Sequence, residues 1–121
     1  DGIRDLVRSR GLGDVYKRQM TTKADGVDLS ATTAANVGQA GSSGGTFSVT
    51  ITNRSTSGVT VRLGLGTSSA TFQDARYVLY DEPLAAKSSL TFAPIVAEAN
   101  DYIIAYSSAA SVNALMMGHD E

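Results

Sequence analysis

The chain of 121 residues is long enough for one domain that buries most of its apolar surface without metals or disulfides. It contains no cysteine, which excludes a disulfide framework and a thiolate metal site. Its 10 basic and 12 acidic residues give a formal net charge of −2, and no apolar run approaches the length of a membrane span. We therefore expect one small domain without a membrane partner.

The first 19 residues differ from the rest in charge. They carry five basic and three acidic side chains, and their stretch SRGLGDVYKRQ resembles the translated adapter sequence that recurs at the ends of open reading frames in metagenomic assemblies. A phosphate-binding arm and a short helix are the alternatives, but Gly11 and Gly13 would stop a helix after about two turns. We expect residues 1–19 to be a non-native segment and residues 20–121 to form a single domain.

The charge of residues 20–121 argues against a nucleic-acid partner. This part of the chain has five basic and nine acidic side chains, and the basic ones are scattered along it. An acidic surface without a basic cluster repels a phosphate backbone. We therefore expect no nucleic acid among the partners.

The first half of this domain begins with two weak segments and continues with two clear strands. A short strand is predicted over residues 26–32, and the Gly/Ser-rich residues 35–45 are predicted to be a mobile loop. Residues 46–52 alternate strictly in polarity, as do residues 59–65, with a turn at 53–58 between them. We expect these two strands to form a hairpin. The side chains predicted to point inward are Phe47, Val49, Ile51, Val59, Val61, Leu63 and Leu65.

Four more strands are predicted in the second half, separated by turn-forming segments. Pro83, in a connection over residues 81–88, excludes a central strand there. A loop over 66–75 and a turn over 96–101 complete the connections. The pattern predicts an all-β fold, an antiparallel β-sandwich (Ig-like or jelly-roll-like) of about six to seven short strands, with a small barrel as the alternative. The four strands are 76–80, 89–94, 102–107 and 111–118.

Side chains that carry catalysis are scarce. The single histidine, His119, lies two residues from the end of the sequence, and it has no second histidine or cysteine to join it in a metal site or a nucleophilic pair. The acidic pairs Asp81-Glu82 and Glu98/Asp101 could in principle act as acid and base, but they fall in predicted turns, where carboxylates are usually solvated. We expect no enzyme, no catalytic residue, no cofactor and no metal site.

Two further patterns have both a functional and a structural explanation. The triplet Asn53-Arg54-Ser55 fits a glycosylation acceptor, although such triplets are common by chance. Four strand tyrosines could form an aromatic platform for a sugar, although tyrosines of this kind more often lie in a core or an interface. These tyrosines are Tyr77, Tyr80, Tyr102 and Tyr106.

The stretches VTITNRSTSGVTVRLGL and YVLYDEPLAAKSSLTFAPIVAEANDYIIAYSSAASVNALMMGHDE resemble small structural proteins of tailed bacteriophages, notably marine ones. The resemblance extends over roughly residues 44–121. It implies a virion component, assembled in the cytoplasm of the bacterial host, that decorates the head or belongs to the neck or tail, and it brings no active-site residues. The shared features are the turn Asn53-Arg54, the strand Val61-Arg62-Leu63, the step Tyr80-Asp81, the link from Leu84 to Ser88, and the ending from Gly118 to Glu121.

A stand-alone Ig-like module that binds carbohydrate or mediates adhesion is the alternative function. A lectin-like module should present aromatic and acidic side chains in its loops, whereas the loops of this sequence are rich in Ser, Gly and Ala and its tyrosines fall in strands. The sequence therefore favours a structural role.

Three of the predicted strands, 76–80, 102–107 and 111–118, are apolar on both faces. Because soluble monomers rarely expose a contiguous apolar patch, we expect these strands to share one sheet whose outer face is covered by another subunit. The partners would be further copies of the chain, other virion proteins, or both. The alternative is a cover within the chain, provided by residues 26–40. Candidate interface residues are Leu79, Ile103, Leu115 and Met117.

Overall fold

A computed structural model describes residues 21–120. Within them, the chain forms eight strands and one short 3-10 turn (Asp74–Arg76). No helix in this range is long and apolar enough to cross a membrane. The strands are β1 (Thr21–Leu29), β2 (Ala35–Gln39), β3 (Gly45–Asn53), β4 (Val59–Gly66), β5 (Tyr77–Leu84), β6 (Ser89–Ala97), β7 (Tyr102–Ser107) and β8 (Val112–Asp120). The expected boundary at residue 19 lies outside the described residues.

The eight strands form two antiparallel sheets of four. The first sheet has the order β1-β8-β3-β6 and the second has the order β2-β7-β4-β5. Strands at mirrored positions in the chain pair with each other: β1 with β8, β2 with β7, β3 with β6, and β4 with β5. This is the strand order of a jelly roll. The predicted all-β sandwich is confirmed, with one strand more than the upper end of the predicted range.

The core lies between the inner faces of the two sheets. The seven side chains predicted to point inward from β3 and β4 are all buried, which confirms the alternation in both strands. The last two strands complete the core with Val112, Ala114 and Met116 of β8 and with Ile103 and Ala105 of β7.

The predicted hairpin between residues 46–52 and 59–65 is wrong. β3 belongs to the first sheet and β4 to the second, so the residues between them cross from one layer to the other. Backbone hydrogen bonds fix this crossing, because the N–H of Asn53 donates to Ser88 O at 2.8 Å and that of Arg54 donates to Ser111 O at 2.9 Å. Alternation shows which side of a strand is buried, but two strands that enclose a core from opposite layers have the same pattern as a hairpin.

The glycine-rich segment 35–45 is not a loop throughout, because residues 35–39 form β2. Val37 is buried in the core, and the pairing register of β2 with β7 shifts between Asn36 and Gly38. A Cβ atom at Gly38 would lie 2.5 Å from Cε of Met116. Gly38 therefore allows β2 to approach β8 closely. The sequence analysis instead took the glycines of this segment as a sign of mobility.

Both prolines lie in edge strands. β5 continues past Pro83 to Leu84 at the edge of the second sheet, and β6 continues past Pro94 to Ala97 at the edge of the first. An edge strand tolerates proline because one side of its backbone has no partner strand. The expectation that Pro83 excludes a central strand agrees with this arrangement. The connection predicted over residues 81–88 is shorter than expected, because residues 81–84 still belong to β5.

Candidate functional site

The three strands that are apolar on both faces do not share a sheet, so that prediction is wrong. β5 and β7 belong to the second sheet, whereas β8 is central in the first. The four candidate interface residues are separated accordingly. Ile103 is fully buried in the core and Leu79 packs against the core from a half-buried position. Leu115 and Met117 lie together on the outer face of the first sheet, where they are 37% and 44% exposed.

Small and uncharged side chains surround these two residues. In the strand register, Leu115 lies between Gly26 of β1 and Thr50 of β3. Met117 lies between Ala24 of β1 and Ser48 of β3. We call this surface the β8 face; its members are Ala24, Gly26, Thr46, Ser48, Thr50, Thr91, Val96, Leu115 and Met117.

β6 extends the β8 face on the side away from β1. Thr91 lies opposite Thr50, and the two hydroxyl groups hydrogen bond at 2.9 Å. Val96 lies opposite Thr46 and is 68% exposed. The sequence analysis missed Val96 because it assigned residues 96–101 to a turn after Pro94. The exposed large apolar side chains therefore lie on two strands of this sheet, β8 and β6, with the hydroxylated side chains of β3 between them.

Ionisable side chains lie at the two ends of the β8 face. At one end, Arg54 Nη2 lies 2.7 Å from Oδ1 of Asp28, and a shallow open groove runs from this pair to Leu115. At the other end, His119 lies between Thr22 and Thr46 in the strand register. The members of the β8 face between these two ends are uncharged, and depletion of charge is a feature of the desolvated centre of a protein interface.

The outer face of the second sheet is different, because a loop of the same chain covers part of it. Ile104 points to this outer side and is nevertheless fully buried. Residues 67–73, which we call the cover loop, lie over it. A Cβ atom at Gly66 would meet Thr71 O at 2.1 Å and Ile104 Cδ1 at 3.0 Å, and one at Gly64 would meet Cδ1 of Phe72 at 2.9 Å. The two glycines therefore make room for the loop.

Polar contacts hold the cover loop in place. The side-chain amide of Asn36 donates to Ser69 Oγ at 2.6 Å, and its oxygen accepts the N–H of Ala70 at 2.6 Å. The N–H of Gln73 donates to Leu65 O at 3.2 Å. A segment of the same chain therefore does cover part of this face, but it is the cover loop and not residues 26–40 as expected. Residues 26–40 form the end of β1, β2 and the connection between them. Of this range, the Asn36 side chain hydrogen bonds to the cover loop.

An ion pair fixes the chain at the end of the cover loop. Arg76 Nη1 donates to Oδ1 of Asp101 at 3.1 Å, and Oδ2 of the same carboxylate accepts the N–H of Glu98 at 2.7 Å. Asp101 is almost completely buried. The hydrogen bonds from Arg76 lower the pKa of Asp101 against the opposing effect of burial, and the bond from the Glu98 N–H lowers it further. The ion pair with Arg76 thus favours the charged form of this buried carboxyl group.

A second ion pair lies in the open part of the outer face of the second sheet. The register between β4 and β5 shifts so that Tyr80 and Asp81 together oppose the single residue Arg62. The bulge directs both side chains to the guanidinium group. Arg62 Nε lies 2.7 Å from Oδ1 of Asp81, and its Cζ lies 4.3 Å from the centre of the Tyr80 ring. Asp81 has a φ of 52°, in the left-handed region.

Further aromatic rings continue this arrangement on both sides. On β7, Tyr106 lies opposite Arg62, and its ring centre is 4.6 Å from Cζ of Arg62. On the other side, Tyr77 contacts Tyr80 edge-on at 4.9 Å and stacks on Phe72 at 4.7 Å. We call this group the aromatic row; its members are Phe72, Tyr77, Tyr80, Arg62 and Tyr106.

Asn53 has a structural role that the sequence analysis did not identify. It is fully buried, and its amide nitrogen lies within hydrogen-bond distance of Ser57 O at 2.8 Å, Ala85 O at 3.1 Å and Leu84 O at 3.2 Å. Its amide oxygen accepts the N–H of Ser55 at 2.9 Å. A nitrogen engaged in this way is not available for glycosylation. The serine two positions after the asparagine was the available signal, because it fits a turn closed by the asparagine side chain.

Metal ligands do not converge in the described structure. Among residues 21–120, no three histidine or acidic side chains lie close enough to hold a metal ion.

Comparison with known proteins identifies the fold and no family. No family model and no curated protein matches the sequence. A pilus protein of Bacillus endospore appendages has a TM-score of 0.52 at 16% identity, over 84% of this chain and 86% of that one. A pentameric capsid protein from metagenomic phage sequences has a TM-score of 0.39 at 14% identity, over 80% and 61%. The IMPa metallopeptidase of Pseudomonas aeruginosa has a TM-score of 0.45 at 15% identity, and the chain covers 12% of it. The likeness to the pilus protein shows a shared fold.

Proposed function

We propose that the protein is a non-enzymatic structural subunit of a bacteriophage virion, in the head decoration, the neck or the tail, and that it acts through contacts between subunits. The observation that carries this proposal is the β8 face. Its exposed apolar side chains Leu115, Met117 and Val96 extend across one open sheet without a loop of the described chain over them. Burial of such a face against another subunit would stabilise the assembly by about 25 cal/mol for each Å² of apolar area removed from water.

The composition of the face supports assembly over catalysis. Ser, Thr, Gly and Ala side chains beside Leu115 and Met117 leave the sheet flat enough for close approach of a second surface, and they add hydroxyl groups that can hydrogen bond across it. The buried carboxylate of Asp101 and the exposed one of Asp81 are each paired with an arginine. Neither is therefore poised as an unpaired acid or base.

The oligomeric state tests the assembly part of the proposal. We expect light scattering on the full chain to give a mass above that of the monomer over a micromolar concentration range. The double variant Leu115→Lys/Met117→Lys should be monomeric, because two charges on the face cannot be desolvated without partners. The matched control Ala85→Lys/Ala99→Lys adds the same charge at exposed connections and should keep the mass of the parent protein. A parent protein that is monomeric throughout, or a control that dissociates equally, would contradict the proposal.

The virion part has a separate test. Genes for a terminase, a portal protein or a major capsid protein beside the gene for this chain would support it, together with detection of the chain in purified particles. Neighbouring genes of cell-wall or polysaccharide metabolism would favour the adhesion alternative.

A further inference from the structure

The aromatic row combines three features that subunit packing does not require. Tyr80 is 59% exposed although it is one of the larger aromatic side chains. It projects from a bulge, and the residue after it, Asp81, has a left-handed backbone conformation, which aspartate adopts more readily than most residues with a side chain. Bulges are over-represented next to functional sites, where they redirect a side chain.

The ring of Tyr80 is held in a fixed orientation. Arg62 lies over it at 4.3 Å, and Arg62 is itself fixed by Asp81 through Nε at 2.7 Å and Nη2 at 3.3 Å. Tyr77 contacts the same ring edge-on. A rigid aromatic side chain loses little conformational entropy when a ligand stacks on it, which is why tyrosine is common in binding surfaces.

The chemistry around Tyr80 distinguishes among ligand classes. A cationic ligand is disfavoured because the guanidinium group of Arg62 already occupies the cation site between Tyr80 and Tyr106. A nucleic acid is disfavoured because the exposed carboxylate of Asp81 beside the ring would repel its phosphates. A neutral sugar fits both constraints, since its C–H face can stack on the ring and its hydroxyl groups can donate to this carboxylate.

The border of the row adds further hydrogen-bonding groups. Phe72 and Tyr77 connect Tyr80 to the cover loop by ring contacts of 4.7 and 4.9 Å. The exposed residues of that loop include Thr67, Ser68 and Ser69. Hydroxyl groups can both donate to and accept from a sugar. An exposed ring beside hydroxylated and acidic side chains is therefore suited to a flat, hydroxyl-rich ligand.

We propose that the outer face of the second sheet binds a neutral glycan, which stacks on Tyr80 and hydrogen bonds to Asp81. The site is on the opposite side of the sandwich from the β8 face. Glycan binding and subunit assembly can therefore take place in the same molecule, and each can fail without the other.

The test is binding of the full chain to soluble neutral polysaccharides (laminarin, dextran, xylan and galactomannan) by affinity gel electrophoresis. Tyrosine fluorescence is a second readout, since the chain has no tryptophan. We expect at least one of these polysaccharides to retard the protein. Tyr80→Ala should weaken that binding by about tenfold or more, whereas Tyr80→Phe should keep most of it because the ring remains.

Two controls separate this site from the β8 face and from unfolding. Leu115→Lys/Met117→Lys should bind the polysaccharide as the parent protein does, whatever its oligomeric state. The Tyr80→Ala variant should keep the oligomeric mass and the unfolding midpoint of the parent. Failure of all four polysaccharides to retard the parent protein would overturn the proposal. Equal binding by Tyr80→Ala would do so too, and so would Tyr80-dependent binding of a proline-rich peptide in place of a sugar.

Discussion

The two sheets of this sandwich differ in whether the apolar side chains on their outer faces are covered. In the second sheet, Ile104 points outward from β7 and is fully buried because the cover loop lies over it. In the first sheet, Leu115 and Met117 point outward from β8 and stay exposed. The outer face of a strand that is apolar on both sides can therefore be covered either by a loop of its own chain or by another molecule. The difference shows that the first sheet leaves its outer apolar side chains in contact with water, whereas the second sheet covers Ile104.

The sharpest test of this contrast places the same charge on each outer face. Ile104→Lys should lower the free energy of unfolding by about 3 kcal/mol or more, because the charge would be buried beneath the cover loop without a partner. Leu115→Lys should change it by less than about 0.5 kcal/mol in the monomer, because that position is already in contact with water. Urea denaturation of the two variants measures both values.

If Ile104→Lys does not fold, Ile104→Ala replaces it and should cost about 2–4 kcal/mol through the cavity that it leaves. Equal losses at positions 104 and 115 would mean that the two outer faces have the same cover.

The Arg76–Asp101 ion pair at the end of the cover loop should have a smaller effect on stability. Asp101→Asn should lower the free energy of unfolding at neutral pH by about 2–3 kcal/mol, because Arg76 would lose a largely buried partner. Because the folded state lowers the pKa of Asp101, its contribution is complete above the ordinary value of 3.8 and is lost as the pH falls through the lower folded-state value. The stability of the parent protein should therefore fall more steeply in acid than that of Asp101→Asn.

The measurement is the urea midpoint as a function of pH for both proteins. Parallel pH profiles would show that the ion pair does not hold the cover in place. Asp81→Asn is the matched control, since its carboxylate is paired with an arginine on the same sheet but is 44% exposed.

The smallest effect is expected at the rim of the β8 face. The Arg54–Asp28 pair is short, but its side chains are 52% and 77% exposed. Solvent and salt screen such a pair, so Arg54→Ala should change the free energy of unfolding by less than about 0.5 kcal/mol. Thermal unfolding in low and high salt checks this value. A loss above about 1 kcal/mol would indicate that the rim is less accessible to water than the structure shows.

Local features of the sequence predicted a strand at seven of the eight positions, with β2 taken for a loop, and they identified the buried sides of β3 and β4. The burial of Val61 beside the outward-pointing Arg62 follows directly from the alternation in β4. The pairing partners could not be predicted in this way, because β3 pairs with β8 and β6, which follow dozens of residues later in the chain. Alternation contains no information about partners at that separation.

The cover loop shows what a closer inspection of the sequence could have revealed. Outward positions of β4 are occupied by Gly64 and Gly66, and glycine inside a strand marks a place where another part of the chain approaches closely. That signal was visible, but it did not indicate which segment approaches. The bulge that gathers Tyr80 and Asp81 around Arg62 had no signal of this kind, because it depends on the register between two strands.

Pro83 and Pro94 limit how copies of this protein can grow into larger polymers. Each lies in an edge strand, and these two strands are at the same side of the sandwich, opposite the side where β1 packs against β2. A proline interrupts the row of donors that a foreign strand would need, so each sheet has one blocked edge and one without proline. The two proline-free edges, β1 and β2, lie on one side of the sandwich, so strand addition there can join two copies but cannot propagate, since a fibre requires usable edges on opposite sides of each copy.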